Sequence, residues 1–356
     1  SGGIDSSATL AAAASFLPPD ALRTFTVGFT EPSFDETAYA STVARHFHAR
    51  HDVDWLDLDT ARDLAPEVLS RLDEPLADAS ILPTYLLSRF TRRHVTVALS
   101  GDGGDELFAG YDPFAALTPA RLYRAFVPRP LHVLLREAAN RLPISTRNMS
   151  FDFKLRRTLT GLSYGPALWN PVWLGPIEPG QIADFFHEAL TPEELYSEAL
   201  EAWDASKTGS LIDRTLEFYT NFYLQDGILM KVDRAAMMCS LESRAVFLDN
   251  DLVEFCSRLP HSFKMRGGQR KYLLRKAVED LLPREILHRP KKGFGIPTAS
   301  WLRPMPPQPP LEPIAGMRMD RVSRAWSDHR KGVADNRLLL WSWLSLQSLD
   351  YAKSAA

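Results

Sequence analysis

The sequence predicts an α/β protein built on a doubly wound parallel sheet, with an added helical layer. Three observations predict it. β-Branched and aromatic runs alternate with helix-prone stretches over the first 111 residues, the pattern that gives parallel strands joined by crossover helices. A turn rich in glycine and hydroxyls, Ser1-Gly2-Gly3-Ile4-Asp5-Ser6-Ser7, opens directly into a helix-prone run over residues 8–16. A second glycine-rich turn, residues 100–104, follows the short apolar run at 95–99. Ligands of such sheets bind outside the carboxyl ends of the strands, and Ser1, Asp35 and Ser100 all fall at that edge.

The first turn has the makings of a phosphate cradle. Backbone N–H groups at a helix N-terminus are unpaired, the helix dipole is positive there, and glycine lets the main chain approach an anion without a Cβ in the way. A carboxylate beside a phosphate is repulsive unless a metal lies between them, so Asp5 reads as a ligand of Mg²⁺, which takes carboxylate, water and phosphate oxygens. The Walker pattern, with Gly-Lys-Ser/Thr after a longer loop, is absent. A plain helix N-cap is the competing reading, since Ser and Asp both cap well. A phosphate loop of this kind ordinarily follows a buried strand, and the chain begins at Ser1, so the expectation is of a fragment lacking its first strand.

In chain order, residues 24–29 read as a strand and residues 34–47 as a helix capped by Asp35. A further strand is expected near 51–56 and helices over 60–72 and 79–93. Residues 99–111 hold three carboxylates, Asp102, Asp105 and Glu106, among four glycines. This suits a metal-assisted anion site in which Asp105 shares metal with Asp5; the alternative is a glycine-rich calcium loop, for which the alternating oxygen-ligand spacing is lacking, or a solvated turn. Residues 112–230 read as helical and irregular, with Trp203, Phe218, Tyr219, Phe222 and Tyr223 at core-facing helical spacing. Residues 231–249 read as a helix running into a turn, whose Arg234, Glu242 and Arg244 either pair with one another or face a polar cleft. From Lys264 to Lys292 ten Lys or Arg stand against three acids, ending in a loop whose glycines allow movement and whose lysines suit phosphates. Residues 304–313, with six prolines, read as a stiff connector, and a last amphipathic helix is expected over 336–351.

Composition excludes several classes. At 356 residues and 45% hydrophobic content, the chain can bury a sizeable core. A net charge of −3 provides no global field for nucleic acid or anionic membrane. The longest apolar stretches are too short to span a bilayer, so a cytoplasmic, soluble protein is expected. Cys239 and Cys256 sit in apolar contexts that suit buried free thiols.

Residues 1–6, 25–29, Asp35-Glu36, Asp73-Glu74-Pro75 with Asp78 and Ser80, 99–111, 231–249, 271–275 and 289–301 together resemble the synthetase domain of glutamine-dependent asparagine synthetases. These belong to the N-type ATP pyrophosphatase (PP-loop) group, with an adenine nucleotide alpha hydrolase-like fold. The resemblance implies a core over 1–111 lacking its first strand, and a helical remainder over 112–303 with the substrate and phosphate loops. It further implies the connector at 304–313, a C-terminal helical segment over 314–356, and a glutaminase domain normally in the same chain.

The implied reaction uses ATP to adenylate a carboxylate, most simply the aspartate β-carboxylate, with release of pyrophosphate; ammonia then displaces AMP. Ser1, Gly2, Gly3 and Ser6 would hold pyrophosphate, Asp5 and Asp105 Mg²⁺, and Asp35 a second metal. Val27, Ser100 and Gly101 would line the nucleotide site. Asp102 would orient substrate or take a proton from ammonia. Arg234, Lys271 and above all Lys291 would stabilise charge on the phosphates as the α–β bond breaks. The resemblance leaves room for a homodimer. Val246 stands where that family usually has proline, and 304–313 is shortened. A paralogous amidotransferase acting on a sugar acid, peptide or natural-product carboxylate is the alternative enzyme; a non-catalytic nucleotide-binding module is the alternative outside enzymes. A tRNA-modifying pyrophosphatase is disfavoured by the balanced charge.

Overall fold

The computed structural model describes residues 1–188, 190–289, 293, 295–304 and 314–348. The chain folds as two compact units, each assembled from three separate stretches. The first comprises Ser1–Leu64, Ser80–Leu117 and Gly209–Gly295; the second comprises Ala65–Ala79, Thr118–Thr208 and Ile296–Ala356.

The strands lie in the first unit. Helix α1 spans Ile4–Ala14, strand β1 Arg23–Phe29, α2 Thr37–His46, β2 Arg50–Leu56, α3 Leu58–Leu69, α4 Ile81–Arg92, β3 Val97–Ser100 and α5 Gly104–Leu107. β1 and β2 pair in parallel from Arg23 opposite Arg50 to Phe29 opposite Leu56. With α2 between them they form a strand–helix–strand unit, and α2 and α4 pack on both strands. The expected helices and strands of this region are therefore present, and the α/β class is observed.

Strand β4, Glu242–Ala245, pairs in parallel with β3. This corrects one expectation, since residues 231–249 form a helix, Met230–Met237, followed by a strand and not only by a turn. Four residues with two charges have little strand signal of their own; the partner β3 supplies it. Among the described residues the parallel ladders are two pairs, β1–β2 and β3–β4, without hydrogen bonds joining them.

The core of the first unit joins distant stretches. Ile4, Ala8 and Ala11 on one face of α1 pack with Val43, Leu107, Phe108, Phe247, Cys256 and Leu274. Burying a side chain such as Ile4 stabilises by roughly 1.5–3 kcal/mol, so the turn before α1 is anchored by the residue that follows its glycines. Cys239 and Cys256 are both free thiols, Cys256 fully buried. Of the aromatics expected in the core, Tyr219 is buried, Phe218 and Tyr223 pack on it and Phe222 packs on Phe218; they sit on or beside a π-helical segment, Tyr219–Leu229.

The second unit is helical. Its core includes Leu302, Met317, Val322, Trp326, Leu340 and Trp343, with the two indoles edge to face at 5.8 Å. The last described helix, Arg337–Ser348, lies within the expected amphipathic segment. The proline-rich residues 305–313 lie outside the described residues. No helix among the described residues is long and apolar enough to cross a membrane.

Candidate functional site

The turn at the head of α1 is not closed by a side-chain cap. Gly3 is the N-cap residue, in extended conformation and without a side-chain hydrogen bond to the helix. The plain-cap reading of Ser1 and Asp5 therefore does not hold. The hydroxyls cluster instead: Ser1 Oγ lies 2.9 Å from Ser6 Oγ and accepts from the Gly3 N–H at 3.3 Å, and Ser6 Oγ donates to the Ser1 carbonyl at 3.0 Å. Hydroxyls and N–H groups gathered at the positive end of an eleven-residue helix favour an anion.

The second glycine turn is pressed against this one. A Cβ on Gly101 would stand 2.8 Å from Ser6 N and 3.0 Å from Asp5 Cβ, so only glycine allows this approach. Next to it the Ser100 hydroxyl is buried and lacks a hydrogen-bond partner among the described residues. An orphaned buried hydroxyl beside an anion-favouring helix terminus is the feature that ATP phosphates would satisfy. Val27 lies close by in a pocket lined by Ser1, Phe25, Phe29, Phe34 and Leu87, apolar walls that suit a nucleoside.

Asp5 and Asp105 come together through Lys271. Its Nζ is 2.5 Å from Asp5 Oδ1, 2.5 Å from Asp5 Oδ2 and 2.5 Å from Asp105 Oδ1. Lys271 is 3% exposed. Burial alone would pull the ammonium down, but the two carboxylates outweigh it and hold Lys271 above the usual lysine value. The two carboxylates are the hard oxygen donors Mg²⁺ takes, yet the ammonium fills the space between them, so this arrangement does not fit a cation.

The remaining candidates have other settings. Asp35 sits just past β1, where Oδ1 accepts from the N–H groups of Phe29 and Thr37 and Oδ2 from the Thr37 hydroxyl. It steadies the entry of α2 from one residue before the N-cap, which is Glu36 and not Asp35 as expected, and among the described residues it does not join Asp5 and Asp105 in a three-ligand group. Asp102 is half-buried in the second glycine turn. Arg234, on Met230–Met237, pairs with Asp233 at 3.2 Å, while Glu242 and Arg244 pair with each other at 2.8 Å, as charges on an apolar segment were expected to do. Lys291 lies outside the described residues.

Two further groups were not singled out from sequence. Arg289 donates to the Gly2 carbonyl at 2.7 Å, pairs with Glu36, and lays its guanidinium 4.2 Å over the Tyr39 ring. It thereby ties the first turn to the head of α2; in the sequence it was one of ten basic residues in a row of loops and helices. Glu106 is buried and accepts from the Tyr111 hydroxyl at 2.5 Å, and Tyr111 stacks on Tyr219. Burial, then Glu106 and Asp105, push the Tyr111 phenol well above its usual value, so it stays a neutral donor.

Comparison with known proteins extends over nearly all of this. Residues 1–350 match the family model described as asparagine synthase. A provisionally named asparagine synthetase [glutamine-hydrolyzing] of Mycobacterium tuberculosis is 35% identical over 355 residues, which is 97% of this chain and 52% of the relative. Asparagine synthetase [glutamine-hydrolyzing] 1 of Bacillus subtilis is 31% identical over 359 residues, 97% of this chain and 54% of the relative. Amidase chry2 of Gibberella zeae is 24% identical over 345 residues, 85% and 49% respectively. The chain spans about half the length of the curated relatives it matches.

Proposed function

The chain belongs to the asparagine synthase family, and from that premise we propose that it is the synthetase portion of an ATP-dependent amide-forming ligase. ATP adenylates a substrate carboxylate, the carboxylate oxygen attacking the α-phosphorus as pyrophosphate leaves; ammonia then attacks the acyl carbon and expels AMP. Aspartate is the acceptor we favour, giving asparagine, with ammonia supplied from glutamine by a glutaminase domain of the same protein.

The observation that carries this reading is the meeting of the two glycine turns, with the Ser100 hydroxyl left unsatisfied beside the uncapped head of α1. N–H groups of the first turn with the Ser1 and Ser6 hydroxyls would take the leaving pyrophosphate, where charge grows as the bond breaks. The Val27 pocket would take the nucleoside. Asp102 would orient the acceptor or receive a proton from ammonia. Arg234 and Lys291 would stabilise phosphate charge. Magnesium would neutralise phosphate charge when bound, but Asp5 and Asp105 as arranged here, with the Lys271 ammonium between them, do not offer it a site.

A doubly wound sheet uniting β1–β2 with β3–β4 belongs to the same proposal. Its support is the parallel pairing within both ladders, since parallel strands occur almost only in sheets covered by helices on both faces.

The second reading, an amidotransferase with another acceptor, is favoured by one observation: a protein named as an amidase aligns with 85% of the chain. One experiment decides between them. Pyrophosphate release from ATP is measured with the full-length protein, ammonia and a panel of carboxylates including aspartate. Release with aspartate alone establishes the leading reading, and release with a different carboxylate establishes the second. Absence of release with every carboxylate refutes both.

A further inference from the structure

Within the amide-ligase reading, on which this inference rests, we propose that the Lys271 ammonium is the resident counter-ion of the Asp5–Asp105 pair. A divalent cation gains that pair only by displacing it.

Three oxygens, two from Asp5 and one from Asp105, lie 2.5 Å from Nζ. A magnesium ion would need the same oxygens at about 2.0–2.1 Å. Two cations cannot occupy one gap of that size, so occupancy is exclusive.

The lysine is held there by its backbone conformation, a backbone hydrogen bond and a glycine that makes room for it. Its backbone adopts positive φ, +54°, a conformation that a long side chain adopts only when its surroundings impose it. Its N–H donates to the Phe108 carbonyl at 3.0 Å, which ties the residue to the segment bearing Asp105. Gly110 makes room for the side chain, since a Cβ there would stand 2.1 Å from Lys271 Cε and 1.9 Å from Asp105 Oδ1.

The exchange is also consistent in charge. The Lys271 ammonium offsets one of the two carboxylates it touches and keeps them from repelling each other. A divalent ion brings the pair to neutrality, and the ammonium then loses its reason to remain. Lys271 thus acts as a positioning residue that keeps two half-buried acids in place until metal arrives.

Manganese is the probe, followed by the paramagnetic resonance signal of free Mn²⁺ as it is titrated into the full-length protein without nucleotide. Lys271→Gln is expected to bind one Mn²⁺ about ten-fold or more tighter than the wild type, ten-fold being 1.4 kcal/mol. The gain should vanish in Lys271→Gln with Asp105→Asn. Equal affinity in wild type and a folded Lys271→Gln overturns the proposal.

If Lys271→Gln does not fold, the wild-type protein still decides. Amine acetylation read by mass spectrometry should spare Lys271 in metal-free protein and reach it in excess Mn²⁺; unchanged protection overturns the proposal. Neither readout requires turnover. Tighter Mn²⁺ binding without pyrophosphate release would sink the ligase reading alone, and release with equal Mn²⁺ affinity would sink this one alone.

Discussion

Lys271 in the strand-bearing unit and His329 in the helical unit are both basic groups removed from water, at 3% and 1% exposure. Lys271 keeps its charge because two carboxylates face it at 2.5 Å. His329 does not. The Asn336 N–H can only donate, so at 3.2 Å it makes Nδ1 an acceptor, and Nε2 must carry the proton it donates to the Ala299 carbonyl at 3.0 Å. Asp335 lies 4.0 Å from Nδ1, but Arg337 claims it at 2.6 Å. Burial, only partly opposed by Asp335, therefore holds the imidazole below its usual value. A buried base is charged or neutral according to who else claims the nearby carboxylate, and the charged case is the one that sits beside a ligand-sized turn.

The strongest way to break this contrast is Lys271→Met, which removes the ammonium that lies between Asp5 and Asp105. Loss of one partner of a buried pair costs about 3–5 kcal/mol, and urea unfolding of metal-free protein should show a loss on that scale. Excess Mn²⁺ should restore part of it, because a ligand that binds only the folded state stabilises it. Unaltered stability would mean that the two acids do not need the lysine.

Arg289→Ala should cost somewhat less, about 1.5–3 kcal/mol for a charge-assisted hydrogen bond, since water can reach part of the vacated space. The same variant should weaken binding of the nucleotide, because the Gly2 carbonyl loses its anchor. Calorimetric titration with ATP checks the second effect, and Arg289→Lys should fail to rescue the stacking on Tyr39.

The neutral base is tested by pH. A group whose folded value is depressed contributes stability fully above its unfolded value, near 6.5 for histidine. That contribution falls away as pH drops through the lower folded value. Melting temperature should therefore fall between pH 7.5 and 5, and His329→Gln, which keeps a donor and an acceptor, should flatten part of the slope. His51 and His132 are also depressed by burial, so the difference between wild type and variant is the quantity to read.

The smallest effect is expected at Arg244→Ala. Its pair with Glu242 is over half exposed on both sides, and such pairs contribute about 0–1 kcal/mol. A loss beyond that range in chemical denaturation would show that the β4 charges do more than pair.

Much of this site was legible from residue order. Glycines and hydroxyls ahead of an alanine-rich helix marked the first turn, because the requirement for close approach and free N–H groups is local. The place of Asp35 at the entry of α2 was legible for the same reason, since the Thr37 N–H and hydroxyl that donate to it lie two residues away, though Glu36 is the N-cap. β1 was legible because its seven residues are rich in β-branched and aromatic side chains, and β2 because Val53, Trp55 and Leu56 follow a helix-prone stretch. β4 was not, since its four residues become a strand only through β3.

Residue order thus points to the chemistry of each turn, including which side chains could meet an anion, for all of that is written within about ten residues. Only the folded chain decided that Lys271 meets Asp5 across 266 positions and fills the gap between the two acids. The physical reason is that burial makes neutralisation compulsory, while the choice of partner is settled by distance in space, which spacing along the chain does not encode.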